Sequence, residues 1–156
     1  MKIILRGGGV MRSGPEREMV DDYIQRANGL ARGTGFTSVV EEGIDLRSCK
    51  SRADETDKLL SGIDSTARLI LFDERGKQPS SRDIAKQIGG WRDDGISSSY
   101  FLIGGADGFE PSALPAGVTR WAFGAQVWPH KLVRVMASEQ IYRALSILAG
   151  TPYHRD

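Results

Sequence analysis

Cysteine is nearly missing from this chain. Cys49 stands alone among 156 residues, which excludes an intrachain disulfide and fits a reducing compartment. Histidine is almost as scarce: His130 and His154 come without the cysteine or carboxylate spacing of a metal site, so no metal-dependent hydrolase is expected. Charge of one sign is lacking too. With 21 Lys and Arg against 20 Asp and Glu the formal net charge is +1, so any surface for a polyanion has to be a local patch. The apolar run Ile3, Ile4, Leu5 halts at Arg6, well short of a signal-peptide core, and no segment approaches the ~20 apolar residues of a membrane span. The expectation is a soluble cytoplasmic protein. Internal repeats and low-complexity tracts are also absent. A chain of this size buries roughly 70% of its unfolded surface, and with 40% hydrophobic residues one domain over residues 1–156 is expected.

Several site motifs fail on spacing. Gly7 and Gly9 invite a dinucleotide-binding reading, but the third glycine of G-x-G-x-x-G would fall at Arg12. No phosphate-binding G-x-x-x-x-G-K-[ST] occurs, and no G-x-S-x-G elbow presents a serine nucleophile; Ser97, Ser98 and Ser99 read as a loop.

What is present is an alternation of strands and helices. Residues 2–5 read as a buried strand that Gly7, Gly8 and Gly9 end with a turn. A helix follows, signalled by Ser13 and Glu16 as a capping box around Pro15, with Met19, Tyr23, Ala27 and Leu30 on its inner face and Gly33 as its stop. Residues 36–40 form a second strand and 54–63 a weaker helix, joined by a polar, basic loop. The unbroken apolar run 69–72 predicts a central strand buried on both faces. Ser80 and Asp83 cap a helix that turns Ile84, Ile88 and Trp91 inward, and residues 100–103 give a further strand. Residues 118–123 favour one more, and a last helix over 131–149 carries Leu132, Val135, Met136, Tyr142, Leu145 and Leu148. This order implies an α/β fold, a mostly parallel sheet with helices on both faces.

Ligands of open α/β sheets bind beyond the carboxyl ends of the strands. Three glycine-bearing loops fall there: 72–77 (Phe72-Asp73-Glu74-Arg75-Gly76-Lys77), 104–108 (Gly104-Gly105-Ala106-Asp107-Gly108) and 123–130 (Phe123 through His130). Any one of them alone could be a simple turn. The last helix is less ordinary. Its apolar stripe is broken by Arg134, Glu139, Gln140 and Arg143, and Glu139 and Arg143 sit four apart as a surface salt bridge would. Beyond Gly150 the chain still carries Tyr153, His154 and Arg155, which a frayed terminus does not need.

The Phe72-to-Lys77 motif with Ser80-Ser81, then Ile103-Gly104-Gly105 with Gly108, then Pro129-His130, Arg134, Glu139-Gln140, Tyr142-Arg143-Ala144 and the closing Tyr153-His154-Arg155, closely resemble the RlmH family of ribosomal RNA methyltransferases. The resemblance covers the whole chain. It implies a SPOUT fold with the C-terminal part threaded into a trefoil knot, a homodimer, and methyl transfer from S-adenosylmethionine to N3 of a pseudouridine in 23S rRNA, on the assembled ribosome. It further implies a cofactor pocket built from Phe72, Gly104 and the stretch Phe123, Gly124, Ala125, Gln126, Val127 and Trp128. Phe72 and Trp128 are larger than the residues usual there. The resemblance also implies that the tail helps complete the active site; within it His154 is the candidate for handling a proton and Arg155 or Arg143 for contacting an anion or phosphate.

For His130, at the start of the last helix, a capping or packing role is the expectation. Arg6, Arg47, Lys50, Arg52, Arg75 and Lys77 are the candidates for an RNA-contacting patch. Two rival readings remain: a non-catalytic α/β module that binds a nucleotide or a protein through the same loops, and a SPOUT methyltransferase acting on tRNA.

Overall fold

The computed structural model describes residues 1–155. Five strands form one sheet in the order β2-β1-β4-β3-β5, and every neighbouring pair is parallel. The strands are β1 (Lys2–Gly8), β2 (Ser38–Ile44), β3 (Arg68–Lys77), β4 (Ser98–Ile103) and β5 (Thr119–Trp121). The helices are α1 (Pro15–Ala31), α2 (Arg52–Leu60), α3 (Ser81–Asp93) and α4 (His130–Leu148).

The two-residue period of a strand sends alternate side chains to opposite faces, and both faces are covered. Ile3, Leu5, Ile70, Phe101 and Ile103 join α1, α3 and α4 in the larger core cluster. Leu71 and Leu102 join Leu59 of α2 and Phe109 in the smaller one. The α/β architecture expected from the residue pattern is therefore present. Residues 69–72 do lie in an interior strand, although the central strand of the five is β4, between β1 and β3.

The structure corrects several details. The glycine run does not end β1; Gly7 and Gly8 are paired strand residues, and only Gly9, at φ 83°, makes the turn. A Cβ at Gly7 would overlap the guanidinium of Arg134, and one at Gly8 would lie 3.0 Å from the backbone nitrogen of Gly105. Those glycines answer close approach, not chain reversal. The capping box of α1 does not form either. With Pro15 as the first helical residue the N-cap is Gly14, so Ser13 and Glu16 stand one position out of phase. The helix passes Gly33 through a 3₁₀ turn (Arg32–Thr34) and stops at Gly35, which is left-handed. Met19 and Leu132, expected inside, are 47% and 40% exposed.

β3 continues past Phe72. Its pairing with β5 jumps from Phe72 to Lys77, both opposite Trp121, so the intervening residues bulge out at the carboxyl end of the sheet. At α3 the reading holds: Ser80 accepts from the Asp83 backbone N–H while the Asp83 carboxylate accepts from the Ser80 N–H, a complete capping box.

Candidate active site

The registers of β3, β4 and β5 bring Phe72, Ile103 and Trp121 level at one end of the sheet. The three glycine-bearing loops therefore meet. They enclose a cavity of about 480 Å³, lined by Phe72 to Arg75, Ile103 to Phe109, Trp121 to Gly124 and Gln126 to His130, with Arg52, Pro111, Arg120 and Val133 completing it. Of the residues singled out for a cofactor, Phe72, Gly104, Phe123, Gly124, Gln126, Val127 and Trp128 all line it; Ala125, in the same loop, does not.

Local sequence explains the shape of the wall. A Cβ on Gly104 would sit 2.9 Å from the Gly108 backbone, and Gly124, at φ 115°, occupies a conformation that side chains disfavour. The floor is aromatic. Phe72 and Phe123 stack with centroids 4.8 Å apart and planes 13° from parallel, and Phe72 leans on Phe101, which meets Trp121. The rim is charged: Arg120 donates to Asp73 at 3.2 Å, and Arg52 to Glu110 at 2.7 Å, beside Glu74, Arg75 and Asp107. Asp73, Glu74, Arg75 and Asp107 were part of the loops singled out in the sequence and Arg52 of the basic candidates, whereas Arg120 and Glu110 escaped notice. No local signal marked those two, since their partners Asp73 and Arg52 lie 47 and 58 positions away.

His130 opens α4 at the cavity edge. Desolvation at the cavity edge, then the charges of Arg134 and Lys131, push its pKa below the ordinary imidazole value. One turn on, Arg134 is completely buried. It donates to the carbonyls of Gly8 at 2.7 Å and Gly9 at 3.0 Å, and to Glu41 at 3.0 Å, while Glu41 also accepts from Arg17 at 2.6 Å. Burial disfavours its charge, and Glu41 offsets that cost. This network ties α4 to the glycine end of β1, which itself abuts Gly105.

The tail lies elsewhere on α4. The Glu139 carboxylate accepts from Arg143 Nε at 2.9 Å, from the Tyr153 hydroxyl at 2.9 Å and from Gln140 at 2.8 Å. Arg143 lies 3.3 Å from His154 Nδ1, and Tyr153 packs on Tyr142. Burial and the bond to Glu139 push the Tyr153 hydroxyl well above its usual pKa, which keeps it a donor. Arg143 and His154 are thus brought together, Arg155 is exposed beside them, and none of the three lines the cavity. Of the supposed RNA patch, Arg6 is withdrawn: it is 8% exposed and bonded to Glu42 and the carbonyls of Leu59 and Ser61. Among the described residues no group of three or more His, Cys, Asp or Glu could hold a metal ion.

The family described as "Predicted SPOUT methyltransferase" matches residues 1–154. The chain belongs to that family. It is also 52% identical over its full length, and that of the relative, to a protein of Maricaulis maris named ribosomal RNA large subunit methyltransferase H. Proteins of the same name from Dinoroseobacter shibae and Hyphomonas neptunium are 47% and 44% identical, each over 99% of both chains. The enzyme is accordingly a methyltransferase, its sheet is the SPOUT sheet, and the reaction requires a methyl donor. No helix among the described residues is long and apolar enough to cross a membrane.

Proposed function

We propose that this SPOUT methyltransferase transfers the methyl group of S-adenosylmethionine to N3 of a pseudouridine in 23S rRNA of the large ribosomal subunit, acting in the cytoplasm as a homodimer on the assembled ribosome. The observation that carries the cofactor half is the cavity where the three loops meet. Its volume lies within the ~300–1,000 Å³ typical of small-molecule sites. Phe72, Ile103, Phe123 and Val133 offer apolar walls to an adenosine, and Asp73, Glu74, Asp107, Arg75 and Arg120 offer partners of both signs to a sulfonium and an amino acid. When bound, the cofactor supplies an electrophilic methyl. The chain's task is to hold an imide nitrogen in line with it and to receive or stabilise the charge as the proton leaves.

The tail is suited to the second task. His154 and Arg143, with Arg155 beside them, place a titratable ring next to cations that favour an imide anion or a phosphate. Because these groups do not line the cavity of their own chain, the tail of a partner subunit is the one we assign to each site. Threading of the C-terminal part into a trefoil knot within the single domain is carried over from the family on the same terms.

Calorimetry with S-adenosylmethionine and S-adenosylhomocysteine tests the first half; absence of binding by folded protein overturns it in favour of a non-catalytic module. Methylation assays on ribosomes, free 23S rRNA and tRNA test the second, with ribosomes expected to be the best substrate. Removing residues 153–156 is expected to leave cofactor binding intact and abolish turnover.

A further inference from the structure

A second cavity, of about 390 Å³, lies against the first. The two share Phe72, Trp121, Ala122, Phe123 and Gly124, so the Phe72 and Phe123 stack forms a wall common to both. Their chemistry differs. The first is lined by seven titratable residues, whereas the second has none: beyond the shared wall it presents Gln78, Pro79, Ser80, Ser81, Ile84 and Gln140. A lining without charge offers no counterion to a phosphate or to an amino-acid group. Aromatic faces with neutral donors and acceptors suit an uncharged planar ring instead.

Gln140 is set in place for such a ring. Its Oε1 accepts from the Ser81 hydroxyl at 2.8 Å and its Nε2 donates to Glu139 at 2.8 Å, which fixes the amide and leaves its second N–H uncommitted. That N–H can donate to a carbonyl flanking the imide nitrogen, which holds the ring while leaving the nitrogen itself open toward the first cavity. Gly124, without a side chain, lines both cavities and marks where they adjoin.

We propose that this second cavity receives the target nucleobase, with Gln140 as the residue that positions its imide edge toward the methyl donor in the first cavity. The proposal rests on the methyl-transfer reading above. In the reaction it serves, the imide proton passes to the His154 ring of the tail, the ring nitrogen forms the N–C bond, and the donor's C–S bond breaks with its electron pair remaining on sulfur.

Two variants test it, Gln140→Leu, which removes the donor, and Gln78→Trp, which fills the cavity from its exposed edge. Each is compared with wild type for S-adenosylhomocysteine affinity by calorimetry, for thermal unfolding, and for kcat and KM on ribosomes. The expected result for Gln140→Leu is a roughly tenfold or greater fall in kcat/KM with cofactor affinity within about twofold of wild type. Gln78→Trp is expected to raise KM or abolish turnover with the same intact cofactor affinity. A mainly structural role for Gln140 would instead show as equal losses of cofactor binding and thermal stability, and would overturn the assignment of that residue. Wild-type kcat and KM in both variants would overturn the nucleobase cavity while leaving the methyltransferase reading untouched. Wild-type protein that binds no cofactor or methylates no RNA defeats that reading itself, and the proposal falls with it.

Discussion

A single methyl group on Gly7 would meet the guanidinium of Arg134 inside van der Waals contact, and Arg134 has nowhere to go, being fully buried under α4. Gly7→Ala is therefore expected to destabilise the protein by about 2 kcal/mol, the usual cost of overpacking, as read from urea denaturation. An unchanged midpoint would show that the arginine can move aside. His130 makes a different prediction. Burial and two neighbouring cations hold its pKa down, so the fold favours the neutral ring; the stability this contributes is complete above the ordinary imidazole pKa and declines as pH falls below it. NMR titration of the ring should give a pKa lower than that of free histidine, and Lys131→Gln should raise it. A titration at or above the free value contradicts the assigned causes. The glycines and the arginine were all visible in the sequence, yet their partnership spans 125 positions, and no local pattern joins Gly9 to Arg134.

Helix capping shows what an element can announce of itself. Ser80 and Asp83 were legible because N-cap and third helical residue are separated by a fixed three positions, and the box forms as read. Ser13 and Glu16 have the same spacing and fail, because Pro15 fixes the first turn one residue later and leaves Gly14 at the cap. Ser80→Ala should accordingly lower stability by about 1 kcal/mol in urea denaturation, and Ser13→Ala should change nothing measurable. Equal effects at the two serines would refute the distinction. The bulge of β3 illustrates the opposite case. Residues 73–76 read as a loop because they are polar, while their ends remain paired with the same residue of β5, a fact of sheet register alone.

For the molecule as a whole, the exposed large apolar side chains among the described residues are Val10 and Met19, on either side of the start of α1, and Val127, Trp128 and Leu132, on either side of the start of α4. Large apolar side chains left exposed, as Met19 and Leu132 are, suit a subunit interface. Analytical ultracentrifugation is expected to find a dimer, and the double variant Met19→Glu, Leu132→Glu a folded monomer with weakened methylation. A variant that stays dimeric would place the interface elsewhere.

The sequence by itself determined the alternation of strands and helices, the α3 cap, and the three loops at which a ligand site could form, since each depends on residues within a few positions of one another. Its motifs also pointed to the family that the whole-chain match bears out. Only the tertiary structure decided that Arg6 and Arg134 are buried ties, that Arg120 and Asp73 meet at the rim, and that a second, uncharged cavity adjoins the first. The reason is physical: periodicity reports which face of an element is apolar, but a buried charge or a cavity wall is defined by groups from distant parts of the chain, which only packing brings together.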